Sequence, residues 1–540
     1  MLFNSYQFIL LFVPAVVGVY YALGPARRQA ASFWLILASL FFYAWWRPFN
    51  VLLIAPSIGV NYGIVTLLLR LGDRRPALSR AAFWGGIAFN LAFLGYFKYS
   101  NFFLTVTNDI VGTSFVLGTI ILPLGISFIT FQKIALLVDV RAGRVMRVSL
   151  PDYALFVLFF PQLIAGPIVH FRELMPQFAA SDGRARWDDF AVGLTLFFTG
   201  LFKKVIFADP VAALISPIWA QVAAGGHPAL LQAWAAALGF MLQLYFDFSG
   251  YSDMAIGTAR LFGVKLPFNF NSPLKATNII DFWSRWHVTL TRFLTAYIFT
   301  PLTVALTRKR AERGLPVIAG RRTTFPAFFV VLAYPTMTTM VLAGVWHGAG
   351  YQFLVFGALH GVALVVNHAW RLRRPHWWPT TGAAALPAAF SGWVLTFLFV
   401  VVAEVFFRAA SVGAGLGLLQ GMTGANGVTL PMALFSHAGP LLARIGLPAT
   451  GVWESGLEFV EVWSCILAGL FVVLALPNSL EMLAEHEPAL GFKVRPAGHT
   501  RLLRALSWSP SPVWAVGLST VTALGLLSLG RLSDFLYWHF

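Results

Sequence analysis

Charged residues are scarce in this chain of 540 residues. Asp, Glu, Lys and Arg together make up 11% of it and hydrophobic residues make up 58%, whereas soluble proteins carry roughly 25% charged residues. Many stretches approach the ~20 consecutive apolar residues with which a helix spans a bilayer. The alternating ten-residue pattern of a membrane β-barrel is absent. The composition therefore predicts an all-α polytopic membrane protein.

Cysteine is almost absent as well. Cys465 is the single cysteine, which excludes an internal disulfide and a cysteine-based zinc site, and no metal site is predicted. The G-x-S-x-G, P-loop, H-E-x-x-H and C-x-x-C signatures are also missing. No stretch reads as a large soluble domain. If the protein is an enzyme, its active site is expected within the membrane.

Basic residues outnumber acidic ones by 38 to 21, which gives a net charge of +17. They do not form one soluble face but cluster between apolar spans, in segments 27–28, 70–80, 141–147, 308–322 and 371–374. This distribution is typical of the positive-inside rule, so nucleic-acid binding is not expected. The apolar N-terminal segment lacks a basic n-region and is predicted to be a first span, not a cleaved signal peptide. Counting spans from the basic clusters places both termini outside.

About 11–13 transmembrane spans are predicted, together with re-entrant or broken helices. The candidate spans lie near residues 6–23, 31–46, 51–69, 81–97, 115–138, 190–208, 230–246, 279–302, 325–345, 351–370, 390–406, 462–476 and 513–529. Segment 154–171 carries Pro161 and Pro167 around Gly166 and is predicted to be broken or re-entrant. The predicted organisation is N-terminal spans at 1–114, a core at 115–370 and C-terminal spans at 371–540, with an outer loop near 409–461.

The densest polar content at membrane depth lies in segment 243–302. Its charged residues and histidine are Asp247, Asp253, Arg260, Lys265, Asp281, Arg285, His287 and Arg292. Because such groups are costly in a bilayer, they are expected to face a protein interior, a cavity or each other. Asp281 and Arg285 are spaced to pair on a helix. The alternative is an interfacial helix anchored by Trp283 and Trp286.

Two further histidines, His347 and His360, interrupt the apolar stretch "LAGVWHGAGYQFLVFGALHG" at 342–361. On one straight helix they would point roughly 220° apart, which disfavours a shared metal site. The glycines that follow His347 predict that the helix breaks there and re-forms, as helices do at membrane sites. For His360, Gly357 and Gly361 suggest a packing role in a helix–helix contact. Composition alone does not decide whether His347 has a packing role or a functional role.

Five ordered motifs carry a family resemblance. They are "LPLGISFITFQ" (122–132), "FFPQLIAGPIVHF" (159–171), "QLYFDFSGYSDMAIG" (243–257), "DFWSRWHVTLTRFL" (281–294) and "GVWHGAGYQFLVFGALHG" (344–361). Together they resemble the membrane-bound O-acyltransferase (MBOAT) family, nearest to the bacterial branch typified by the membrane subunit of alginate O-acetylation. The resemblance implies an MBOAT-like helical core, and makes 115–370 the catalytic core.

The resemblance also implies an activity. An acetyl group would pass from cytosolic acetyl-CoA, a substrate and not a bound cofactor, across the bacterial inner membrane for O-acetylation of an extracytoplasmic polysaccharide. Partners would be an SGNH-type acetyltransferase outside, the polysaccharide and membrane lipid. Alginate-type members continue after the fourth motif with an Arg-Asp pair and a Pro-Leu-Gly-Gly turn, where this chain has Thr295, Ala296, Thr303 and Val304, so the polysaccharide stays open. Peptidoglycan O-acetylation, teichoic-acid D-alanylation and, more distantly, a proton-coupled transporter are the alternatives.

The motifs also imply site residues. In the family the histidine of the W-H-G motif is held to be catalytic, which corresponds to His347, and the histidine of the F-W-x-R-W-H motif lines the same site, which corresponds to His287. Further site-lining candidates are Trp346, Arg285, Trp286, Asp281, Asp247, Asp253 and Gln132. Basic residues such as Lys204 and Arg308 would favour a polyphosphate donor on the cytosolic side.

The stretch "DFLYWHF" at 534–540 places Tyr537 among aromatic residues. One interpretation is an aromatic belt at the membrane interface. The other is a covalent acyl relay on the Tyr537 phenol, since a similar aromatic C-terminal motif occurs in related acyl-export systems and a phenol can act as a nucleophile beside a base.

Overall fold

A computed structural model describes residues 1–24, 27–72, 74–118, 120–376, 378–379, 381–446, 448–453, 456–493, 505–530 and 535–536. Helices dominate this part of the chain. Its two short strands, β1 (Val428–Leu430) and β2 (Ala449–Val452), pair in parallel. The all-α prediction is confirmed.

The α-helices have the following bounds in chain order. They are α1 Val13–Leu23, α2 Arg28–Ala44, α3 Phe49–Leu71, α4 Pro76–Leu94, α5 Ser100–Val111, α6 Ile126–Arg141, α7 Leu150–Leu158, α8 Phe160–Leu163, α9 Phe171–Ala180, α10 Trp187–Phe202, α11 Asp209–Ala223, α12 Leu230–Arg260, α13 Ile279–Trp283, α14 Val288–Leu294, α15 Thr300–Glu312, α16 Phe325–Phe328, α17 Tyr334–His347, α18 Tyr351–Arg373, α19 Ala385–Arg408, α20 Val412–Met422, α21 Met432–Arg444, α22 Gly456–Ala475, α23 Ser479–Met482 and α24 Pro512–Leu527. Successive helices are joined end to end by π-helical turns at Gly95–Tyr99, Lys203–Ala208, Thr295–Phe299 and Phe329–Ala333, and another π-helical turn, Gln7–Phe12, precedes α1.

Nine helices among the described residues are long and apolar enough to cross a bilayer. They are Phe49–Leu71, Pro76–Val111, Trp187–Ala223, Val288–Glu312, Phe325–His347, Tyr351–Arg373, Ala385–Arg408, Gly456–Ala475 and Pro512–Gly530. Two shorter apolar helices, Gln7–Leu23 and Val412–Met422, accompany them. The protein is therefore a multi-pass membrane protein.

The chain divides into two compact units. The first comprises Met1–Phe202, Ser249–Asn269 and the described residues from Ser479 onward, and the second comprises Lys203–Phe248 and Phe270–Asn478. Helix α12 is shared, since the division falls at Phe248. His287 and His347 both belong to the second unit.

Segment 154–171 lies in the first unit and is broken as predicted. Helix α7 ends at Leu158, and the four-residue α8 follows at Phe160. The freed backbone groups find protein partners, as they must at membrane depth: the Phe160 N–H donates to the Ser39 hydroxyl at 3.1 Å, and the Gln162 amide donates to the Phe156 carbonyl at 2.8 Å. Pro161 lies in the first turn of the short helix α8, so it does not break a long helix.

One predicted span has different bounds. Residues 115–118 and 120–123 are not helical, and α6 begins only at Ile126. Gly125 adopts a left-handed conformation, with φ near 70°, and a Cβ on it would lie too close to the Leu163 carbonyl, at 2.8 Å. The apolar run at 115–138 therefore contains a non-helical stretch that hydrophobicity alone cannot distinguish from helix.

Candidate active site

The segment that precedes His287 is held in place by a helix cap, an ion pair and a backbone hydrogen bond. Helix α13 is capped by Asn278, whose side-chain oxygen accepts from the Asp281 N–H at 3.0 Å. The Arg285 guanidinium pairs with the Asp281 carboxylate at 3.0 Å, as the spacing predicts. The Asn271 N–H donates to the Arg285 carbonyl at 2.9 Å. These contacts fix the backbone directly before His287.

His287 lies between α13 and α14 in a conformation that is rare for its residue type. Its φ of 41° and ψ of 53° place it in the left-handed region, which costs a side-chain-bearing residue roughly 1–2 kcal/mol. Its side chain is 0% exposed, and the Phe248 ring meets the imidazole edge to face at 4.7 Å between centroids. Strain of this kind is concentrated at functional sites, so the surrounding structure holds His287 in place at a cost.

His347 is the last residue of α17. Gly348 and Gly350 are both extended, and α18 begins at Tyr351. The helix break predicted after His347 is therefore confirmed. His347 is 3% exposed, so the break presents it to the interior of the second unit.

The Trp346 ring joins the two histidines. Its centroid lies 4.9 Å from the His347 ring and 6.1 Å from the His287 ring. The His347 ring also contacts phenylalanine rings, since it meets Phe407 at 5.1 Å and Phe356 at 6.0 Å. The structure thus brings together His287, Trp346 and His347 in a buried cluster walled by rings.

Glycines let α17 and α18 approach closely enough to form this cluster. A Cβ on Gly357 would meet the Met340 carbonyl at 2.5 Å, and one on Gly361 would meet the Met337 sulfur at 2.8 Å. Gly344 lies opposite Gly357, and a Cβ on it would lie 3.0 Å from the Gly357 Cα. The predicted small-residue face is confirmed as the crossing point of the two helices.

His360 has the packing role that the sequence predicts. Its Nδ1 accepts a hydrogen bond from the Trp283 indole N–H at 3.2 Å, which places the ring proton on Nε2. Rings of Phe356 and Phe399 meet it at 4.6 and 5.2 Å. His360 therefore fixes α18 against α13 and α19.

The interfacial-anchor interpretation of Trp283 and Trp286 is wrong. Both side chains are buried, so neither reaches a membrane surface. Trp286 lies between Phe270, at 5.1 Å, and Phe282, at 5.6 Å. Through Phe270, which meets Phe248 at 5.1 Å, Trp286 supports the ring that packs on His287.

Asp247 lies in a buried ion cluster in the second unit. The Lys204 ammonium is 3% exposed and pairs with both Asp247 and Asp209, the latter at 2.8 Å. Lys204 sits in the π-helical turn Lys203–Ala208. Its expected role in attracting a polyphosphate donor from solution is therefore wrong, because its charge is enclosed and compensated inside the protein. Arg308 is exposed and pairs with Glu312 at 2.7 Å.

The remaining candidates belong to the first unit or fall outside the described residues. Asp253 and Gln132 belong to the first unit; the Asp253 carboxylate accepts from the Ser479 hydroxyl at 2.6 Å, and Gln132 is buried in α6. Tyr537 lies outside the described residues. Within the described ranges, no group of three or more His, Cys, Asp or Glu residues is arranged to hold a metal.

Sequence reasoning missed two residues that pack on the histidines and one buried acid on the helix that carries Phe407. Phe248 and Phe407 pack directly on His287 and His347, yet no signal separates them from the chain's 51 phenylalanines. Glu404 is buried one helical turn before Phe407, and its Oε2 has no hydrogen-bond partner among the described residues. An acid inside the apolar run "FLFVVVAEVFF" is a detectable signal, because such residues at membrane depth mark functional sites.

Fold and site together define a multi-pass membrane protein with a histidine pair buried between its helices. The sequence model of the MBOAT, membrane-bound O-acyltransferase family, matches residues 120–313, which include His287 and end before His347. A peptidoglycan O-acetyltransferase of Helicobacter pylori is 38% identical over 476 residues, covering 82% of this chain and 84% of that protein. This chain belongs to the membrane-bound O-acyltransferase family and is an acyltransferase.

Other relatives differ in the acceptor that their names record. A protein of Pseudomonas aeruginosa named probable alginate O-acetylase AlgI is 37% identical, covering 78% of this chain and 75% of its own length. A teichoic acid D-alanyltransferase of Bacillus subtilis is 28% identical, covering 51% of this chain and 66% of its own length. The transporter alternative does not fit these relatives, all of which are named as acyl-transfer enzymes.

Proposed function

We propose that this acyltransferase moves an acetyl group from cytosolic acetyl-CoA across the bacterial inner membrane for O-acetylation of a polysaccharide outside. An extracytoplasmic SGNH-type acetyltransferase would complete the transfer. The names of the relatives support acyl transfer to cell-envelope polymers. The observation that carries the proposal is that His287 and His347 are both buried and both contact the Trp346 ring.

In this proposal His347 is the general base. It would take the proton from an attacking hydroxyl as the oxygen adds to the thioester carbonyl, and the tetrahedral intermediate would then expel the CoA thiolate. His287 would donate to the negative charge that develops on the carbonyl oxygen. The aromatic walls formed by Phe248, Phe356 and Phe407 support this assignment, because excluding water strengthens each electrostatic contact inside the site.

The two substrates would approach from opposite sides. Acetyl-CoA is polyanionic and does not cross a bilayer, whereas an acetyl group is small enough to pass through a protein interior. The basic clusters favour the side that carries segments 308–322 and 371–374 as cytosolic, and the same rule places both termini outside. A site at the helix break after His347 would then be reached from both sides.

Tyr537 is proposed as an acyl relay to the outer partner. Its phenol oxygen would attack the acetyl carbonyl, releasing CoA and forming an aryl ester, which keeps much of the transfer potential of the thioester. Intact-mass measurement of the C-terminal peptide after incubation with acetyl-CoA is expected to show one added acetyl group, about 42 Da, as ester formation at a hydroxyl requires. Full activity of Tyr537→Phe would remove this step.

Peptidoglycan is the second candidate acceptor. The relative named peptidoglycan O-acetyltransferase covers more of this chain than the alginate relatives, at nearly the same identity. Measurement of ester-linked acetate on purified peptidoglycan and on exopolysaccharide, from cells with and without the gene, separates the two. Loss of acetate from only one polymer identifies the acceptor.

The histidine assignment is tested with purified protein in liposomes and labelled acetyl-CoA. His347→Ala is expected to abolish CoA release while the protein still inserts and elutes normally, and His287→Ala is expected to reduce it strongly. His437→Ala is the matched control, since His437 is an exposed residue of α21 in the same unit. If His347→Ala kept near-normal CoA release, the base assignment would be wrong.

A further inference from the structure

A groove of about 820 Å³ runs between α18 and α19 in the second unit. It is separate from the histidine cluster, although its inner end, at Phe399, meets His360. The residues that line it come from the end of α18, the loop after it, the start of α19 and the segment before α13. They include Val366, Arg371, Arg374, Ala388, Leu395 and Phe399.

The body of the groove is mostly apolar, with Asn367, Ser391 and Thr396 also in its lining, and it faces outward. Val366 and Leu395 lie on two membrane-spanning helices and are 61% and 70% exposed. Between them, Ala363, Ala388 and Ala389 are small and leave the space open. An apolar channel on the outside of membrane-spanning helices is in contact with lipid chains and not with water.

The mouth of the groove is cationic. Arg371 is held toward it by a hydrogen bond from its guanidinium to the Asn278 side-chain oxygen, at 2.8 Å, which leaves further donors of its fork for a ligand. The Arg374 guanidinium has no hydrogen bond or ion pair with any residue that the structure describes, while its backbone carbonyl accepts from Arg321. No carboxylate is among the described residues that line the groove. The mouth therefore presents two positive charges without a local counter-ion.

Aromatic residues mark the level of the mouth in the membrane. Trp370 and Trp378 line the groove beside the arginines, with ring centroids 5.0 Å apart and nearly perpendicular planes. Tryptophan is enriched at the depth of lipid headgroups. This enrichment predicts that the cationic mouth lies at the level of the lipid phosphates.

The length of the groove matches one leaflet. From Ala385 to Phe399 it follows fifteen residues of α19, and the fourteen steps between them rise about 21 Å at 1.5 Å per residue. Half of a bilayer, including its headgroups, is about 20–22 Å thick. A lipid with its phosphate at Arg371 and Arg374 would reach Phe399 near the bilayer midplane.

We infer that this groove is a binding site for one anionic phospholipid. Its phosphate would lie against Arg371 and Arg374, and one acyl chain would lie along Val366 and Leu395 toward Phe399. Basic sites between membrane helices select anionic headgroups in this way. The inference does not depend on the acyl-transfer reaction, since it uses neither histidine of the candidate active site.

Native mass spectrometry of the full-length protein in detergent, titrated with dioleoyl phosphatidylglycerol or dioleoyl phosphatidylcholine, tests the inference. One phosphatidylglycerol is expected to bind more tightly than phosphatidylcholine. The double variant Arg371→Gln/Arg374→Gln is expected to weaken phosphatidylglycerol binding by about 30-fold, since each arginine near a lipid surface contributes about 1 kcal/mol and 1.4 kcal/mol is a factor of ten. Ala388→Phe keeps both charges but fills the channel, and it is expected to weaken binding of both lipids.

The matched control is Arg308→Gln/Arg310→Gln, which removes two arginines from α15 in the same unit. It is expected to leave phosphatidylglycerol binding unchanged, and an equal loss would overturn the site in favour of general charge attraction. Equal affinity for the two lipids, or no effect of Ala388→Phe, would also overturn it. Displacement of phosphatidylglycerol by CoA would show that the groove holds a nucleotide and not a lipid.

Discussion

Gly348→Ala is the sharpest probe of the turn that presents His347. The backbone of Gly348 is extended, with φ near −162°, so alanine meets no conformational penalty there. Sterics decide the outcome instead, because a Cβ at Gly348 would lie well under 3.0 Å from three atoms of the Phe353 ring. The ring or the turn must therefore move.

Phe353 has little freedom to give way. It is buried, and its ring meets Phe407, which packs on His347, at 5.5 Å. Restoring ordinary contact requires a displacement of roughly 1 Å, and overpacking of this kind costs about 1–3 kcal/mol. A shift of that size at a reacting group lowers a rate by about 100-fold. We expect Gly348→Ala to lose about 100-fold in CoA release from acetyl-CoA while the protein remains folded.

Gly350→Ala is the matched control in the same turn. Its backbone is also extended, but the added Cβ would meet only the amide end of the Gln352 side chain, which is flexible and can rotate away. This variant is expected to keep CoA release within about threefold of the parent, in line with the small effects of substitutions that create no clash. If both variants kept CoA release near that of the parent, the steric reasoning would be refuted. If both lost CoA release, the turn would require glycine for another reason.

Three further variants test the surroundings of the site. His287→Gly is expected to unfold at a higher temperature than His287→Ala, because glycine removes about 1 kcal/mol of left-handed strain; the reverse order would contradict the observed φ. Asp247→Asn is expected to lower the yield of folded protein, since weakening a buried ion pair with Lys204 costs about 3 kcal/mol, and size-exclusion chromatography measures this. Trp283→Phe removes the hydrogen-bond donor to His360 and is expected to lower the free energy of unfolding by about 1 kcal/mol, while CoA release is retained. A loss of CoA release without a loss of stability would show that His360 does more than pack.

The local features of the site could be predicted from the sequence because they depend on neighbouring residues. Glycines after His347 indicate a helix break, and the spacing of Asp281 and Arg285 indicates their ion pair, which the structure has at 3.0 Å. The proline-flanked segment 154–171 is broken for the same local reason. Each of these needs only a few residues of context.

Features that depend on contacts between distant parts of the chain could not be predicted from the sequence. Lys204 reads as one of many basic residues at a span end, and only the fold places Asp209 and Asp247 around it. The ring of Phe407, sixty residues after His347, packs on it with no signal in either stretch. The groove between α18 and α19 is invisible for the same reason, since it is made by a gap between two apolar helices.

The high cost of burying charge explains why the carboxylates Asp247 and Asp281 differ in role from the two histidines of the candidate site. Asp247 and Asp281 are each paired with a cation. Because such a pair at best offsets the free-energy cost of its own desolvation, these two carboxylates have a structural role. An imidazole can be buried without a charge, because it donates and accepts hydrogen bonds in its neutral form. Aromatic walls can therefore enclose His287 and His347 without a counter-ion, which leaves their nitrogens suited to receive and return a proton in the proposed transfer.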